Sequence, residues 1–292
     1  MDTRTRLRTL IDQRRGVLVP GAFNALSARI AEDLGFEALY LTGAGITNMH
    51  LALPDQGFVG LHEVAEHTAR ARDAVALPLI VDADTGFGNA LNVRQTVRTL
   101  ERAGADAIQL EDQVNPKRCG HFNGKAIVSA TEMVGKVKAA VDARADQKLL
   151  IMARTDACAV EGFDAAVERA QRYAEAGADI LFVEAPQTAE LLQALPGRLA
   201  QPQLVNLVIG GRTPILGAEE LGRLGFSIVL YANAALQGAV HGMQRALGAL
   251  RRDGRLDEGP ADSAVVASFA ERQRLVGKPA LDALEARYAD PG

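Results

Sequence analysis

The 292-residue chain contains no tryptophan, and aromatic residues make up only 4% of it. Its core must therefore be built from aliphatic side chains and alanine. Cysteine is nearly absent too, with only Cys119 and Cys158. Two cysteines in a chain this long make no disulfide framework, so a reducing cytoplasm is the expected compartment. Basic residues do not predominate: 32 Lys and Arg stand against 36 Asp and Glu, for a net charge of −4. With no basic run either, a nucleic-acid partner is not expected. No apolar stretch approaches the ~20 residues of a membrane helix, so no membrane partner is expected. The segment MDTRTRLRTLIDQRRG lacks the apolar centre of a signal peptide. Its Leu7, Leu10 and Ile11 lie at helical spacing and predict an amphipathic helix instead.

The chain does contain a regular alternation. Short runs that are apolar along their whole length fall at Val17–Pro20, Ala38–Leu41, Leu79–Asp82, Ala107–Glu111, Leu149–Arg154, Ile180–Glu184, Leu204–Leu207 and Ile228–Tyr231. This is the pattern of parallel strands covered on both faces. Helical stripes lie between them, such as Val93, Val97, Leu100 and Met133, Val137, Ala140. Ser129 and Glu132 have the spacing of a capping box, and Asp164 is the expected cap of the next helix. A weak internal echo supports the alternation. AGADAIQLED at 103–112 matches AGADILFVEA at 176–185, and LGFEALYLTG at 34–43 matches LGFSIVLYAN at 224–233. Each copy reads as helix end, glycine, buried strand.

Eight such units predict a (β/α)8 barrel of the TIM type, with a doubly wound open sheet as the competitor. The barrel is preferred because polar residues follow nearly every strand. The expected organisation is a catalytic barrel with its N-terminal helix over 1–253 and a helical tail over 254–292. The tail's Val265, Val266, Phe269, Leu275, Leu281 and Leu284 need something to pack on, and a neighbouring subunit is the candidate.

Strand ends carry the chemistry. They supply Tyr40-Leu41-Thr42-Gly43-Ala44-Gly45, Asp82-Ala83-Asp84, Glu111-Asp112, Arg154-Thr155-Asp156, Glu184, Asn206 and Tyr231-Ala232-Asn233. A barrel brings these ends to one face, where several acids would repel one another. A hard divalent cation removes that conflict, and Asp82, Asp84 and Glu111 are its candidate ligands. The Asn115–Lys125 loop follows directly and holds Cys119 between Arg118 and His121. That cationic setting lowers a thiol pKa, so Cys119 could serve as nucleophile, proton donor or base, or be an inert small residue. Cys158 has apolar neighbours and reads as a packing residue. Gly86-Phe87-Gly88 is no dinucleotide fingerprint, and no phosphate-binding Walker loop occurs.

The stretch from Tyr40 to Asn206 resembles the isocitrate lyase / phosphoenolpyruvate mutase superfamily. The matching motifs are Thr42-Gly43-Ala44-Gly45, Leu53-Pro54-Asp55, Asp82 to Gly88, Glu111-Asp112-Gln113, Lys117-Arg118-Cys119-Gly120-His121, Ala153 to Asp156, Glu184-Ala185 and Asn206. The Lys-Arg-Cys-Gly-His loop is similar to that of the superfamily's C–C lyases, such as 2,3-dimethylmalate lyase and 2-methylisocitrate lyase. The resemblance implies a homotetramer with tail helices exchanged between subunits, and Mg²⁺ (or Mn²⁺) held by Asp84 directly and by Asp55, Asp82 and Glu111 mostly through water. It implies a 2-hydroxy di- or tricarboxylate substrate held by Thr42, Gly43, Ala44, Lys117, Gly120, Arg154 and Asn206. It also implies Cys119 as general acid, His121 and Glu184 as helpers, and Tyr40 at the hydroxyl proton. Two departures bear on the substrate. Val208 stands where isocitrate and methylisocitrate lyases place a hydroxyl residue, which favours a substituted malate. Ala232 stands where oxaloacetate hydrolases tend to carry a hydroxyl. The alternatives are phosphonate chemistry, oxaloacetate hydrolysis or decarboxylation, and a non-catalytic binding barrel.

Overall fold

A computed structural model describes residues 1–118, 120, 124–259 and 262–289; Cys119 and His121 lie outside this set. Eight parallel strands close in sequence order into a barrel: β1 (Val17–Ala22), β2 (Leu39–Leu41), β3 (Leu79–Asp82), β4 (Ala107–Glu111), β5 (Leu150–Thr155), β6 (Ile180–Val183), β7 (Gln203–Asn206) and β8 (Ile228–Tyr231). The expected closed barrel is the observed one, and the open sheet is excluded by the parallel β1–β8 pairing of Val17 with Ile228 through Pro20 with Tyr231. Around the barrel run α1 (Thr3–Asp12), α2 (Ala25–Asp33), α3 (Gly43–Ile46), α4 (Leu61–Ala74), α5 (Ala90–Arg102), α6 (Ala130–Ala143), α7 (Phe163–Glu175), α8 (Ala189–Arg198) and α9 (Ala218–Leu224). Beyond β8 come α10 (Ala234–Asp253), α11 (Phe269–Leu275) and α12 (Lys278–Tyr288).

The repeat seen in the sequence has its physical counterpart at the helix ends. Gly104 and Gly177 adopt φ of +102° and +106°, a left-handed stop that turns each helix into the next buried strand. Ser129 caps α6 by accepting from the Glu132 N–H at 3.1 Å. Asp164 does not cap α7. Gly162 occupies that position, and Asp164 sits in the first turn and pairs with Arg198 instead. An acid there still complements the helix dipole, so the sequence signal was real but displaced by two residues.

Within a strand, alternate residues face inward. The barrel is therefore filled by Val19, Tyr40, Ile80, Ala107, Leu150, Met152, Ile180, Phe182, Leu204, Ile228 and Leu230, all buried in one cluster. Leu7, Leu10 and Ile11 of α1 join the same cluster. The N-terminal helix is thus part of the core, as its spacing predicts. Polar ties hold it there: Thr3 donates to Asp106 at 2.6 Å, and Arg8 pairs with Asp179 at 2.6 Å. Asp106 also accepts from the Leu79 N–H at 2.8 Å, which joins α1 to β3.

The chain divides into two compact units, Met1–Ala234 and Ala235–Gly292. In the second, Val240, Met243, Leu247 and Leu250 of α10 are exposed, as are Phe269, Val276, Leu281, Leu284 and Tyr288. No described helix is long and apolar enough to cross a membrane.

The barrel seam generates a prediction. A Cβ at Gly21 of β1 would overlap the backbone of Ala232 just after β8. Gly21→Ala is expected to lower the unfolding free energy by about 3 kcal/mol, because backbone cannot yield as a side-chain tip can. Urea unfolding followed by circular dichroism checks this, and an unchanged midpoint would contradict it.

Candidate active site

Strand register builds the site. Glu111 ends β4 directly beside Arg154 of β5, and Arg154 in turn lies beside Phe182 of β6. Asp82 ends β3 beside Gln109 of β4. Because inward positions alternate, Gln109 and Glu111 both point into the mouth. Six carboxylates, those of Asp55, Asp82, Asp84, Glu111, Asp156 and Glu184, are buried at this end together with Lys117, Lys125 and Arg154.

Asp82 is held by three neutral donors. It accepts from the Gly43 N–H at 3.3 Å, from the Asp84 N–H at 3.1 Å and from Gln109 Nε2 at 3.1 Å. Gln109 Oε1 accepts from the Tyr40 hydroxyl at 2.5 Å, so one glutamine couples phenol and carboxylate. Burial, then the nearby Asp82 charge, holds the Tyr40 phenol well above its usual pKa. Thr42 caps the short α3 by accepting from the Gly45 N–H at 3.3 Å, and Ala44 lines the same cavity. The backbone at Asp84 lies in the left-handed region, with φ of +46°. Such strain in a non-glycine residue persists only where surroundings impose it, here the Asp82 bond to its N–H.

Lys117 lies at the centre of the acids. Its Nζ is 2.6 Å from Asp55 Oδ1 and 2.9 Å from Asp84 Oδ1. Burial works against the ammonium charge, but Asp84, Asp55, Asp82 and Glu111 hold its pKa well above the usual lysine range. Burial also pushes Asp84 up to about 7, against the pull of Lys117 and with the push of Asp82 and Asp55. Glu111 is raised well above the carboxylate range, again first by burial. Asp84 Oδ1 and Glu111 Oε1 are buried and make no hydrogen bond.

On the other side, Arg154 donates to Asp156 through Nε at 2.9 Å and through an amino group at 3.1 Å. It also approaches Glu111 at 3.3 Å and Glu184 at 3.7 Å, and lies 5.2 Å over the Phe182 ring. Lys125 bridges Asp156 Oδ1 at 2.7 Å and the Gly120 carbonyl at 2.5 Å. A Cβ at Gly120 would overlap Glu184 and Arg154, so the loop backbone passes directly over these two groups. Gln113 holds the near side of the loop, donating to the Arg118 carbonyl and accepting from its N–H.

The cavity also has an apolar lining. Phe182, Val208, Leu230 and Ala232 supply it, with Asn206 and Asn233 as further polar groups. Asn206 Oδ1 is buried there without a hydrogen bond.

Of the residues named from sequence, Tyr40, Thr42, Ala44, Asp55, Asp82, Lys117, Gly120, Arg154, Glu184 and Asn206 line one cavity. Gly43, Asp84 and Glu111 reach it through their contacts with Asp82, Lys117 and Arg154. The Gly43 N–H is already bonded to Asp82. From sequence, Gln109 has no place in the site, and Lys125 and Asp156 have no role beyond their positions in the loop and at the end of β5. The available signal for Gln109 was a lone amide inside an otherwise apolar strand, two residues before Glu111. Cys158 is free, and burial pushes its thiol up to about 12, which fits the packing role read from its neighbours.

The donors present fit a hard divalent cation. Carboxylate oxygens predominate, Glu111 Oε1 is buried without a hydrogen bond, Asp84 Oδ1 has only the Lys117 charge beside it, and acids outnumber bases in a buried space. Among the described residues, no three His, Cys, Asp or Glu side chains stand at metal-ligand spacing. The ammonium of Lys117 lies between Asp55 and Asp84 instead.

Arg154 compensates three acids at once, which sets an expected cost for its loss. Arg154→Met keeps the unbranched stem of the side chain and removes its charge. The unfolding free energy should fall by about 3–5 kcal/mol, because buried carboxylates are left unpaired. Denaturant unfolding measures it, and a loss under about 1 kcal/mol would contradict this role.

Comparison with known proteins gives a consistent family. The family described as phosphoenolpyruvate phosphomutase matches residues 7–251. The chain is 43% identical over 289 residues to 2,3-dimethylmalate lyase of Eubacterium barkeri, covering 99% of each. It is 52% identical over 225 residues to 2-methylisocitrate lyase of Aeropyrum pernix, covering 77% of this chain and 72% of that one. Among solved structures, oxaloacetate acetylhydrolase in complex with 3,3-difluorooxalacetate superposes with a TM-score of 0.91 at 31% identity, covering 100% of this chain and 99% of that one. Phosphonopyruvate hydrolase in complex with oxalate and Mg²⁺ superposes with a TM-score of 0.86 at 33% identity, covering 99% of each. The chain belongs to the phosphoenolpyruvate mutase / isocitrate lyase superfamily.

Proposed function

We propose that this protein is a divalent-cation-dependent carbon–carbon lyase that cleaves an alkyl-substituted malate to pyruvate and a second carboxylic acid. The observation that carries it is the convergence of Asp55, Asp82, Asp84 and Glu111 around Lys117, beside Arg154, at the mouth of a closed barrel. The full-length similarity to 2,3-dimethylmalate lyase supports the reaction class, and the Mg²⁺ complex of phosphonopyruvate hydrolase supports the choice of ion.

Asp84, with Asp55, Asp82 and Glu111 acting mostly through water, would hold Mg²⁺ (or Mn²⁺), which supplies a Lewis acid for the substrate's carboxylate and 2-oxygen. The residues of the chain do the rest. Arg154, fixed by Asp156, offers its guanidinium to the same carboxylate, as do the backbone groups of Thr42, Gly43 and Ala44. Tyr40, held by Gln109, is the candidate acceptor of the substrate's hydroxyl proton, in the phenolate form that a cation held among the neighbouring acids would favour. As that hydroxyl loses its proton and becomes the carbonyl of pyruvate, the C2–C3 bond breaks and its electron pair stays on C3. Cys119 then protonates that enolate-like carbon. Gly120, its chain neighbour, seats the loop on Glu184 and Arg154, and His121 and Glu184 assist the proton transfer. Covering the site keeps water from the carbanion.

The apolar lining decides between substrates. Val208 and Asn206 both line the cavity, which suits an alkyl-bearing carbon with a single carboxylate. A third carboxylate, as in 2-methylisocitrate, would meet an apolar side chain and lose its solvation. Phosphonate chemistry is disfavoured by the cysteine loop, and oxaloacetate hydrolysis by Ala232. The exposed apolar positions of α10, α11 and α12 support the tail as an oligomer contact in a homotetramer.

Pyruvate release from a panel of substituted malates and 2-methylisocitrate tests the reading. A substituted malate should be turned over with kcat/KM at least about 100-fold above that for methylisocitrate. The reverse order would contradict the role of Val208, and phosphonopyruvate turnover alone would contradict the lyase. Cys119→Ser should lower kcat by about 10²–10⁴-fold, and full retention would contradict the general-acid role. Light scattering should give the mass of four chains, and a monomer would contradict the role of the tail.

A further inference from the structure

Lys117 holds an unusual place for a residue expected to bind substrate. Its ammonium is within ion-pair distance of two acids from different segments, Asp55 in the loop before α4 and Asp84 after β3. The side chain is only 5% exposed. Asp82 is satisfied by two backbone N–H groups and Gln109, but Asp84 Oδ1 makes no hydrogen bond and has the Lys117 charge beside it. Asp55 and Asp84 are the acids that depend most on Lys117, and both belong to the proposed cation-binding set.

We propose that Lys117 is the site's own counter-cation, and that a divalent cation binds by displacing its ammonium from Asp55 and Asp84. The inference rests on the divalent-cation reading given above. The physical reason is exclusion. An ammonium and a divalent ion on the same two carboxylates would lie a few ångströms apart in a buried space, where like charges repel strongly. With neither present, adjoining buried carboxylates repel one another, so one cation must always be there. The short segment carrying Lys117 is tied by Gln113 to its neighbour Arg118, so displacement moves the ammonium without removing it from the mouth. The freed ammonium is then available to the substrate's carboxylates. Binding is thereby ordered: the cation enters first, and the lysine is released for substrate only in loaded protein.

Two measurements on the full-length, substrate-free protein test this. In the first, Mg²⁺ is titrated by calorimetry into the wild type, Lys117→Met and Lys117→Gln. A folded variant should bind Mg²⁺ at least about tenfold more tightly, because it has no internal competitor. Equal or weaker binding overturns the displacement. In the second, acetylation of Lys117 in the wild type is read by mass spectrometry in Mg²⁺ and in KCl of matched ionic strength. Mg²⁺ should raise the labelling of Lys117 several-fold relative to other lysines, and an unchanged or lower rate overturns the proposal even if neither variant folds. Absence of Mg²⁺ binding by both the wild type and a folded variant contradicts the divalent-cation reading itself, and the proposal falls with it.

Discussion

Adjoining buried carboxylates cannot all remain ionised without a cation among them, and the organisation of this barrel mouth follows from that constraint. Six acids are gathered where strands β3, β4, β5 and β6 and the loop around Asp55 end. The fold answers them in two halves. Arg154 and Lys125 take the side of Asp156, Glu111 and Glu184. Lys117 takes the side of Asp55 and Asp84. In the first half, paired bonds from Arg154 close Asp156, while Glu111 Oε1 makes no hydrogen bond. In the second half, Asp84 Oδ1 has only the Lys117 charge beside it, and the oxygens of Asp84 and Glu111 are where a metal ion is chemically at home.

The scaffold makes this concentration of charge tolerable. Tyr40, Ile80, Met152, Phe182 and Leu230 fill the barrel below the acids, and α1 closes the other end with Leu7, Leu10 and Ile11. These apolar layers hold the strand ends in register, so that Glu111 is delivered beside Arg154 and Asp82 beside Gln109. The same layers keep water out, which raises the cost of an unpaired charge and the effect of a paired one. Stability and chemistry therefore make opposite demands on the same few residues. A site of this kind gains reactivity from groups that a purely structural protein would replace with aliphatic side chains.

Much of this was legible in the sequence because parallel strands buried on both faces leave a plain signal. The runs at Leu79–Asp82, Ala107–Glu111 and Ile228–Tyr231 coincide with observed strands, and the others differ by one or two residues at their ends. The polar residue after each run marked the mouth, since one face of a barrel collects every strand end. Contacts made across the barrel were not legible. Gln109 reads as one polar residue in a buried strand, and only the β3–β4 register shows that it joins Tyr40 to Asp82. Lys125 and Asp156 are 31 residues apart and meet only through the folded loop. Asp164 satisfies the pattern of a cap, but Gly162, two residues earlier, takes the position. The motif marks Lys117 as a substrate residue, and no local pattern places its ammonium among the acids.

In the proposal, the acid cluster becomes a divalent-cation site when Lys117 moves. A crystal structure of the protein with Mg²⁺ and pyruvate is the decisive test. Mg²⁺ is expected on Asp84, with the Lys117 ammonium withdrawn from both Asp55 and Asp84 and turned to the ligand's carboxylate. A ligand bound with no Mg²⁺ at Asp84 and Lys117 still paired to both acids would contradict it.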